Sequence, residues 1–262
     1  MQVTVVVPTR NSGRTIAACL DSLRNQTHPC TIVVVDNASS DDTIALAALR
    51  ADVVHAAGPE RSAQRNAGAR LRPADVVGFI DSDMVLAKDV VRQAVEAITA
   101  GAAGVIVPER TIGTGYWSAV RAFERSFYSG SDNIEAARFY QWTLFDKTGG
   151  FDENLTGPED LDLTIRVRRQ APITRITAMI DHDEGHLRYC DSCKKKGYYA
   201  EGMRRYVAKY GSGAMRDWAR RPWLHQPRQM LSLAGLGLIV LKVGETATVI
   251  SALARSRLGS RP

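Results

Sequence analysis

Three apolar, β-branched runs limit what this chain can fold into: Val3 to Val7, Thr31 to Val35 and Val76 to Ile80. None alternates polar with apolar residues, so a strand built from any of them needs cover on both faces. That is the condition of a parallel sheet held between helices. Each run stops in a polar or acidic loop: Pro8-Thr9-Arg10-Asn11-Ser12-Gly13, then Asp36 to Asp42, then Asp81-Ser82-Asp83. Between them, Thr15 to Leu23, Thr43 to Arg50 and Arg61 to Arg70 read as helices, with Ser40 or Asp41 as N-cap of the second. A short strand near Asp52 to His55, a helix from Lys88 to Thr99 and a strand at Gly104 to Pro108 extend the alternation. The expected class is therefore α/β, Rossmann-like, with a mostly parallel central sheet flanked by helices. From Tyr116 to Trp142 the alternation fades into an aromatic-rich segment.

The chain has 262 residues, 45% hydrophobic and 24% charged, which excludes disordered, collagenous and disulfide-scaffold classes. Its net charge of +6 favours an acidic partner: nucleic acid, an anionic membrane or a phosphorylated small molecule. Cys190 and Cys193 have C-x-x-C spacing but no second pair to complete a zinc site, so the four cysteines read as structural. The amino terminus reads as a first strand rather than a signal peptide, and the catalytic part is expected to face the cytoplasm.

In an open parallel sheet, ligands sit beyond the carboxyl ends of the strands, so chemistry is expected in the three loops. The first, Pro8, Thr9, Arg10 and Asn11, offers amides and a guanidinium suited to a nucleotide or its phosphates. Asp36 could accept hydrogen bonds from a base or ribose, or could be an N-cap for the following helix. Asp81 and Asp83 leave a buried strand two residues apart, which suits a hard divalent cation bridging a diphosphate. Arg61 and Arg65 share a helical face at i, i+4 and could reach phosphate oxygens or lie in solvent.

Taken in order, the V-V-P-T-x-N opening, the V-D-N-x-S-x-D-x-T loop, the R-N-x-G segment and the D-x-D resemble the donor half of family 2 glycosyltransferases. Downstream, Gly149-Gly150-Phe151-Asp152-Glu153 and Glu159-Asp160-Leu161-Asp162-Leu163 resemble the acceptor-side signatures of that family, so the resemblance covers about residues 3 to 170. It implies the GT-A fold, with a catalytic domain over 1–187 (donor half about 1–110, acceptor half about 111–187) and a helical tail over 188–262. It also implies a donor set of Pro8, Thr9, Arg10, Asn11, Asp36, Arg61, Arg65, Asn66, Asp81 and Ser82. In that set Asp36 faces the base and Asp81 the ribose. Asp83 would hold Mn2+ or Mg2+, with His182 favoured over His186 as a further ligand. Glu159 and Asp160 would be catalytic, with Asp160 as general base in an inverting displacement. Both acids could instead simply open the helix Leu161 to Arg169. Asn37 stands where many relatives carry a second aspartate, and Pro158 where glycine is common. No Q-x-x-R-W signature follows Asp160, which favours transfer of a single sugar, with a UDP-sugar expected from the family.

The segment Arg188 to Arg228 is basic, carrying Lys194, Lys195, Lys196, Arg204, Arg205, Lys209, Arg216, Arg220 and Arg221 among Tyr198, Tyr199, Tyr206, Trp218 and Trp223. Met230 to Ala254 is apolar over about one bilayer crossing, but Lys242 and Glu245 near its middle argue against a plain span. The expectation is a peripheral anchor at the inner face of the cell membrane, on anionic headgroups, with an acceptor hydroxyl that could be lipid-linked. The competing expectation is a buried helical hairpin at a homodimer interface. Nucleic-acid binding through the tail would leave the acidic loops unexplained, so no nucleic-acid partner is expected. A nicotinamide-dependent dehydrogenase would need a G-x-G-x-x-G after the first strand. A sugar nucleotidylyltransferase, the other enzymatic alternative, would need a Gly-rich opening loop where Pro8 to Gly13 has one glycine.

Overall fold

In the computed structural model, residues 1–131, 134–219 and 222–259 are described, the side chains of 212–219 and 256–259 excepted. Arg216, Trp218, Arg220 and Arg221 of the basic segment lie outside the described side chains. The elements run β1 Val3–Thr9, α1 Ile16–Arg24, β2 Thr31–Asp36, α2 Thr43–Ala48, β3 Val53–Ala56, α3 Arg61–Leu71, β4 Val76–Phe79 and β5 Met84–Leu86. They continue as α4 Val90–Thr99, β6 Gly104–Ile106, β7 Glu109–Thr114, α5 Tyr116–Ser126, β8 Ala137–Gln141, α6 Trp142–Lys147 and α7 Glu159–Arg168. Then follow β9 Ile173–Arg175, β10 Ile180–His186, α8 Tyr189–Tyr198, α9 Ala200–Ala219, a 3-10 turn Pro222–His225, α10 Pro227–Met230 and α11 Leu233–Gly259.

The chain divides into two compact units, the first formed by Met1–Arg110, Gly130–Glu153 and Glu159–Asp183. Its seven-stranded sheet has the order β3-β2-β1-β4-β8-β6-β9, and β5, β10 and β7 form a small second sheet. The three apolar runs become β2, β1 and β4, adjacent and parallel, with Thr9 opposite Asp36 at their carboxyl ends. Their valines alternate between two cores, Val5, Val7 and Val34 on one face and Val6, Val33 and Val35 on the other. Both faces are covered, as unbroken apolar strands require. α3 lies close on β1 and β2 because Gly68 has no side chain there: a Cβ would stand 2.5 Å from Val6 Cγ1 and 2.8 Å from Val35 Cγ2.

The segment where the alternation fades supplies a strand after all. β8 runs antiparallel to both β4 and β6 and separates them in the sheet. Neither Ser40 nor Asp41 occupies the N-cap position of α2. Asp42 does, without a side-chain cap, while the Asp41 carboxylate accepts the Thr43 N–H at 3.1 Å.

The second unit comprises Thr111–Ser129, Asn154–Pro158 and Glu184–Pro262. Its core gathers Val120, Trp223, Met230, Leu238 and Leu241, flanked by Trp117, Phe123, Phe127, Tyr128 and Tyr189. α11 is one continuous helix of 27 residues, not the hairpin that a buried tail would form. Gly237 and Gly244 turn toward Tyr116 and Tyr189, so α5 and α8 approach its backbone closely. Lys242 and Glu245 point the same way: Lys242 Nζ pairs with Glu245 and Glu124, and Arg121 pairs with Glu124 and Glu245. Burial alone would raise the Glu245 carboxyl, but Arg121 and Lys242 hold it down at about 2. From Leu231 to Ala254 no exposed position carries a charge.

Candidate active site

The loops after β1 and β2 are tied to each other. Asn11, in the left-handed region at φ 50°, accepts the Ser40 N–H at 2.8 Å, and its own N–H goes to Ser39 Oγ at 2.8 Å. Ser12 Oγ lies 2.8 Å from Ser82 Oγ, which joins the first loop to the D-x-D loop. Asp36 is buried and accepts both the Ser39 N–H and the Ser39 hydroxyl, so it holds its own loop. Gln64 donates to the carbonyls of Thr9 and Val35, at 3.0 and 2.6 Å, clamping the ends of β1 and β2. Pro8 and Thr9 are buried in β1, where Thr9 Oγ1 has no hydrogen-bond partner, and Arg10 is exposed at the loop's start.

The centre of the site is the Arg65 guanidinium, 0% exposed. One arm reaches Asp81 Oδ1 at 2.6 Å and the other Asp160 Oδ1 at 2.7 Å, with Glu159 Oε1 at 3.4 Å. Its carbon lies 5.1 Å from the Phe151 ring centroid, so the Gly-Gly-Phe-Asp-Glu segment supplies a stacking face as well as a turn. Arg61 reaches the same Glu159 oxygen at 3.1 Å. Burial pushes the Glu159 carboxyl up, the neighbouring Asp160 charge adds to this, and Arg61 and Arg65 oppose it. For Asp81, burial also acts upward, yet the Arg65 and Arg138 guanidiniums hold it well below the usual carboxylate range. The Glu159 side chain is 2% exposed and that of Asp160 24%, so of the two adjacent acids Asp160 is the accessible one. Both also lie in the first turn of α7, so opening a helix and joining the arginine cluster are one arrangement.

Asn66 points elsewhere. Its amide donates to the Phe151 carbonyl and to Glu153, each at 2.9 Å, and accepts the Phe151 N–H at 2.9 Å. A side chain on Gly150, at φ 68°, would stand 2.5 Å from the Asn66 oxygen, which ties the glycine to this turn.

On the D-x-D side, His182 Nε2 lies 3.4 Å from Asp83 Oδ2. Their backbones are fixed together, since His182 pairs with Met84 across β10 and β5, and the Asp183 N–H donates to the Asp83 carbonyl at 2.8 Å. Two ligands about 2.1 Å from a magnesium-sized ion, at right angles, stand roughly 3 Å apart. The oxygen and nitrogen donors of this pair therefore suit such an ion. Among the described residues no three His, Cys, Asp or Glu side chains form a closed metal site. His186 belongs to the second unit, its ring set against Gly115.

Two members of the cluster escaped sequence reasoning. Arg138, on β8, grips Glu109 Oε1 through Nε at 2.9 Å and Nη2 at 2.7 Å. Its Nη1 lies 3.5 Å from Asp81 and 3.7 Å from Asp160. The signal in the sequence is an arginine set between Ala137 and Phe139 in a short strand, Ala137–Gln141. Asp81, Glu109, Glu159 and Asp160 face the three guanidiniums of Arg61, Arg65 and Arg138, while Asp83 faces His182.

A family model described as glycosyl transferase family 2 matches residues 4–152, more than half of the chain. The O-antigen chain rhamnosyltransferase RfbN of Salmonella typhimurium (strain LT2) is 24% identical over 196 residues, which span 64% of this chain and 61% of that protein. Among solved structures, residues 1–349 of S. aureus TarS in complex with UDP-GlcNAc match with a TM-score of 0.56 at 17% identity, covering 99% of this chain and 92% of that one. The mannosyltransferase PcManGT from Pyrobaculum calidifontis, in complex with GDP-Man and Mn2+, matches with a TM-score of 0.65 at 16% identity, covering 99% and 88%. At these identities the likeness is one of fold, and the fold is GT-A.

Proposed function

This chain belongs to glycosyl transferase family 2, and on that premise we propose that it moves one sugar from a nucleotide-diphosphate sugar to an acceptor hydroxyl. The observation that carries the reading is the convergence of Asp81, from the end of β4, and Asp160, from the start of α7, on the single buried guanidinium of Arg65. One rigid fork thereby fixes the donor side and the base side at a set separation, and positioning of this kind contributes much of enzymatic rate.

Asp160 is the general base. It takes the proton of the acceptor hydroxyl as that oxygen attacks the anomeric carbon, the bond to the diphosphate breaks, and the configuration inverts. Glu159, buried between Arg61 and Arg65, holds those cations in place instead of exchanging protons with the acceptor. Asp83 and His182 would hold Mn2+ or Mg2+, which would stabilise charge on the departing diphosphate. Asp36 and the tied loops of Asn11, Ser12 and Ser82 form the floor on which the nucleoside rests.

The solved relatives carry UDP-GlcNAc in one case and GDP-Man in another, so the donor is a nucleoside diphosphate sugar, and UDP is the first to try. Turnover of UDP-, GDP- and dTDP-sugars with Mn2+, with Asp83→Ala and Asp160→Asn as controls, tests the assignment. Undiminished turnover in both variants would sink it, and an NMR readout of the anomeric product tests inversion.

The tail supports a peripheral place at the membrane. The uncharged outer face of α11 and its inward-turned Lys242 and Glu245 suit a helix lying in the membrane interface, with Lys194 and Lys195 exposed on α8 toward anionic headgroups. A lipid-linked acceptor would be presented there.

A further inference from the structure

The two oxygens of Glu109 have separate partners. Oε1 takes both contacts from Arg138, at 2.9 and 2.7 Å, while Oε2 lies 3.4 Å from Nδ1 of His182. The opposite ring nitrogen, Nε2, faces Asp83 at 3.4 Å. The residues thus stand in one line, Arg138, Glu109, His182 and Asp83, drawn from β8, β7, β10 and the loop after β4.

From this geometry we infer that Glu109 is a positioning residue for the metal-binding arm of the site. The inference rests on the metal-dependent reading above. A carboxylate accepts, so once Nε2 gives its lone pair to a cation shared with Asp83, Nδ1 is the nitrogen left to carry hydrogen toward Glu109. A histidine ligand needs this tautomer, and carboxylates behind such histidines fix ring orientation and raise ligand basicity. Arg138 completes the device, since its planar fork engages Oε1 through two N–H groups while Oε2 faces His182. His182 and Glu109 are both largely withdrawn from solvent, so water competes weakly for either contact.

Glu109 could instead serve only as the counter-ion of Arg138, and a double-mutant cycle on metal affinity separates the two roles. The probe is Mn2+ binding to the full chain, followed by the EPR signal of the free ion with and without UDP. Glu109→Gln should weaken Mn2+ binding by roughly 10- to 100-fold. The same change in a His182→Ala background should have no further effect, because there is no ring left to orient. Glu109→Asp keeps the charge for Arg138 but withdraws the carboxylate by one methylene. It should lose Mn2+ affinity likewise, and it serves as the second variant if Glu109→Gln proves unstable. Wild-type affinity in both variants, or the same loss in both backgrounds, overturns the inference while leaving the metal reading intact. Mn2+ binding that is absent, or indifferent to Asp83→Ala, overturns the metal reading and the role of Glu109 with it.

Discussion

Replacing Arg65 by Met tests the centre of the site in one step. The change keeps an apolar side chain of similar reach but removes the guanidinium that lies over Phe151 and that Asp81 and Asp160 share at 2.6 and 2.7 Å. Removing one partner of a fully buried ion pair costs about 3–5 kcal/mol, because the remaining charges are left uncompensated, whereas an exposed pair is worth about 0–1 kcal/mol. With Arg65 fully buried and Glu159 nearly so, the upper regime applies. In a domain of this size that corresponds to a fall in Tm of roughly 6–20 °C. The sign with pH follows from Asp81, whose folded pKa is depressed. Its stabilisation is present above the unfolded carboxylate value, about 3.9, and is lost as pH falls through the folded value. Urea unfolding of wild type and Arg65→Met at pH 7 should therefore differ by about 3–5 kcal/mol, and the gap should narrow below about pH 4. Arg65→Lys should recover part of the stability but little turnover, since an ammonium on a flexible stem cannot fork between two carboxylates. A gap under about 0.5 kcal/mol at pH 7, or one that does not narrow in acid, would refute the shared-cation account.

Gly68→Ala should destabilise by about 1–3 kcal/mol in urea titrations, because its new Cβ meets Val6 and Val35, and α3 with Arg65 must shift to admit it. Glu245 titrates near 2 in the folded chain against about 4.3 unfolded, so its contribution is present above about pH 4 and lost between there and pH 2. Glu245→Gln should remove that component of the acid limb in a pH series of urea midpoints. Val243→Glu, at a position 66% exposed on the outer face of α11, should leave folding by circular dichroism unchanged while reducing co-sedimentation with anionic vesicles. Equal sedimentation of the two proteins would remove the basis for an interfacial helix.

The parts of the site that the sequence made legible are those governed by local rules. An unbroken β-branched run becomes a covered strand wherever it lies in a parallel sheet, and the residue after it must emerge at the sheet's carboxyl edge. Asp36, Asp81 and Asp83 follow from that alone, as does the i, i+4 placing of Arg61 and Arg65 on α3. The start of α7 likewise puts Glu159 and Asp160 together on one helical turn. What these residues do with their charges is not local. Arg65 is buried rather than solvated only because α7 delivers two carboxylates to it from more than 90 residues away.

Asn66 reads as a donor contact in the linear motif, but its amide is drawn to the turn at Gly150 and Phe151, a partner set by packing rather than by spacing. Arg138 and Glu109 carry no motif. They enter the site because β8 inserts antiparallel between β4 and β6, an order that no periodicity encodes. On α11 the residue pattern dictates an apolar helix with two charges in it, and tertiary packing decides that those charges turn toward Arg121 and Glu124. The division has one physical cause. Strand and helix formation depend on side chains a few residues apart, whereas the pairing of buried charges depends on which elements become neighbours, and that is settled only when the whole sheet closes over its core.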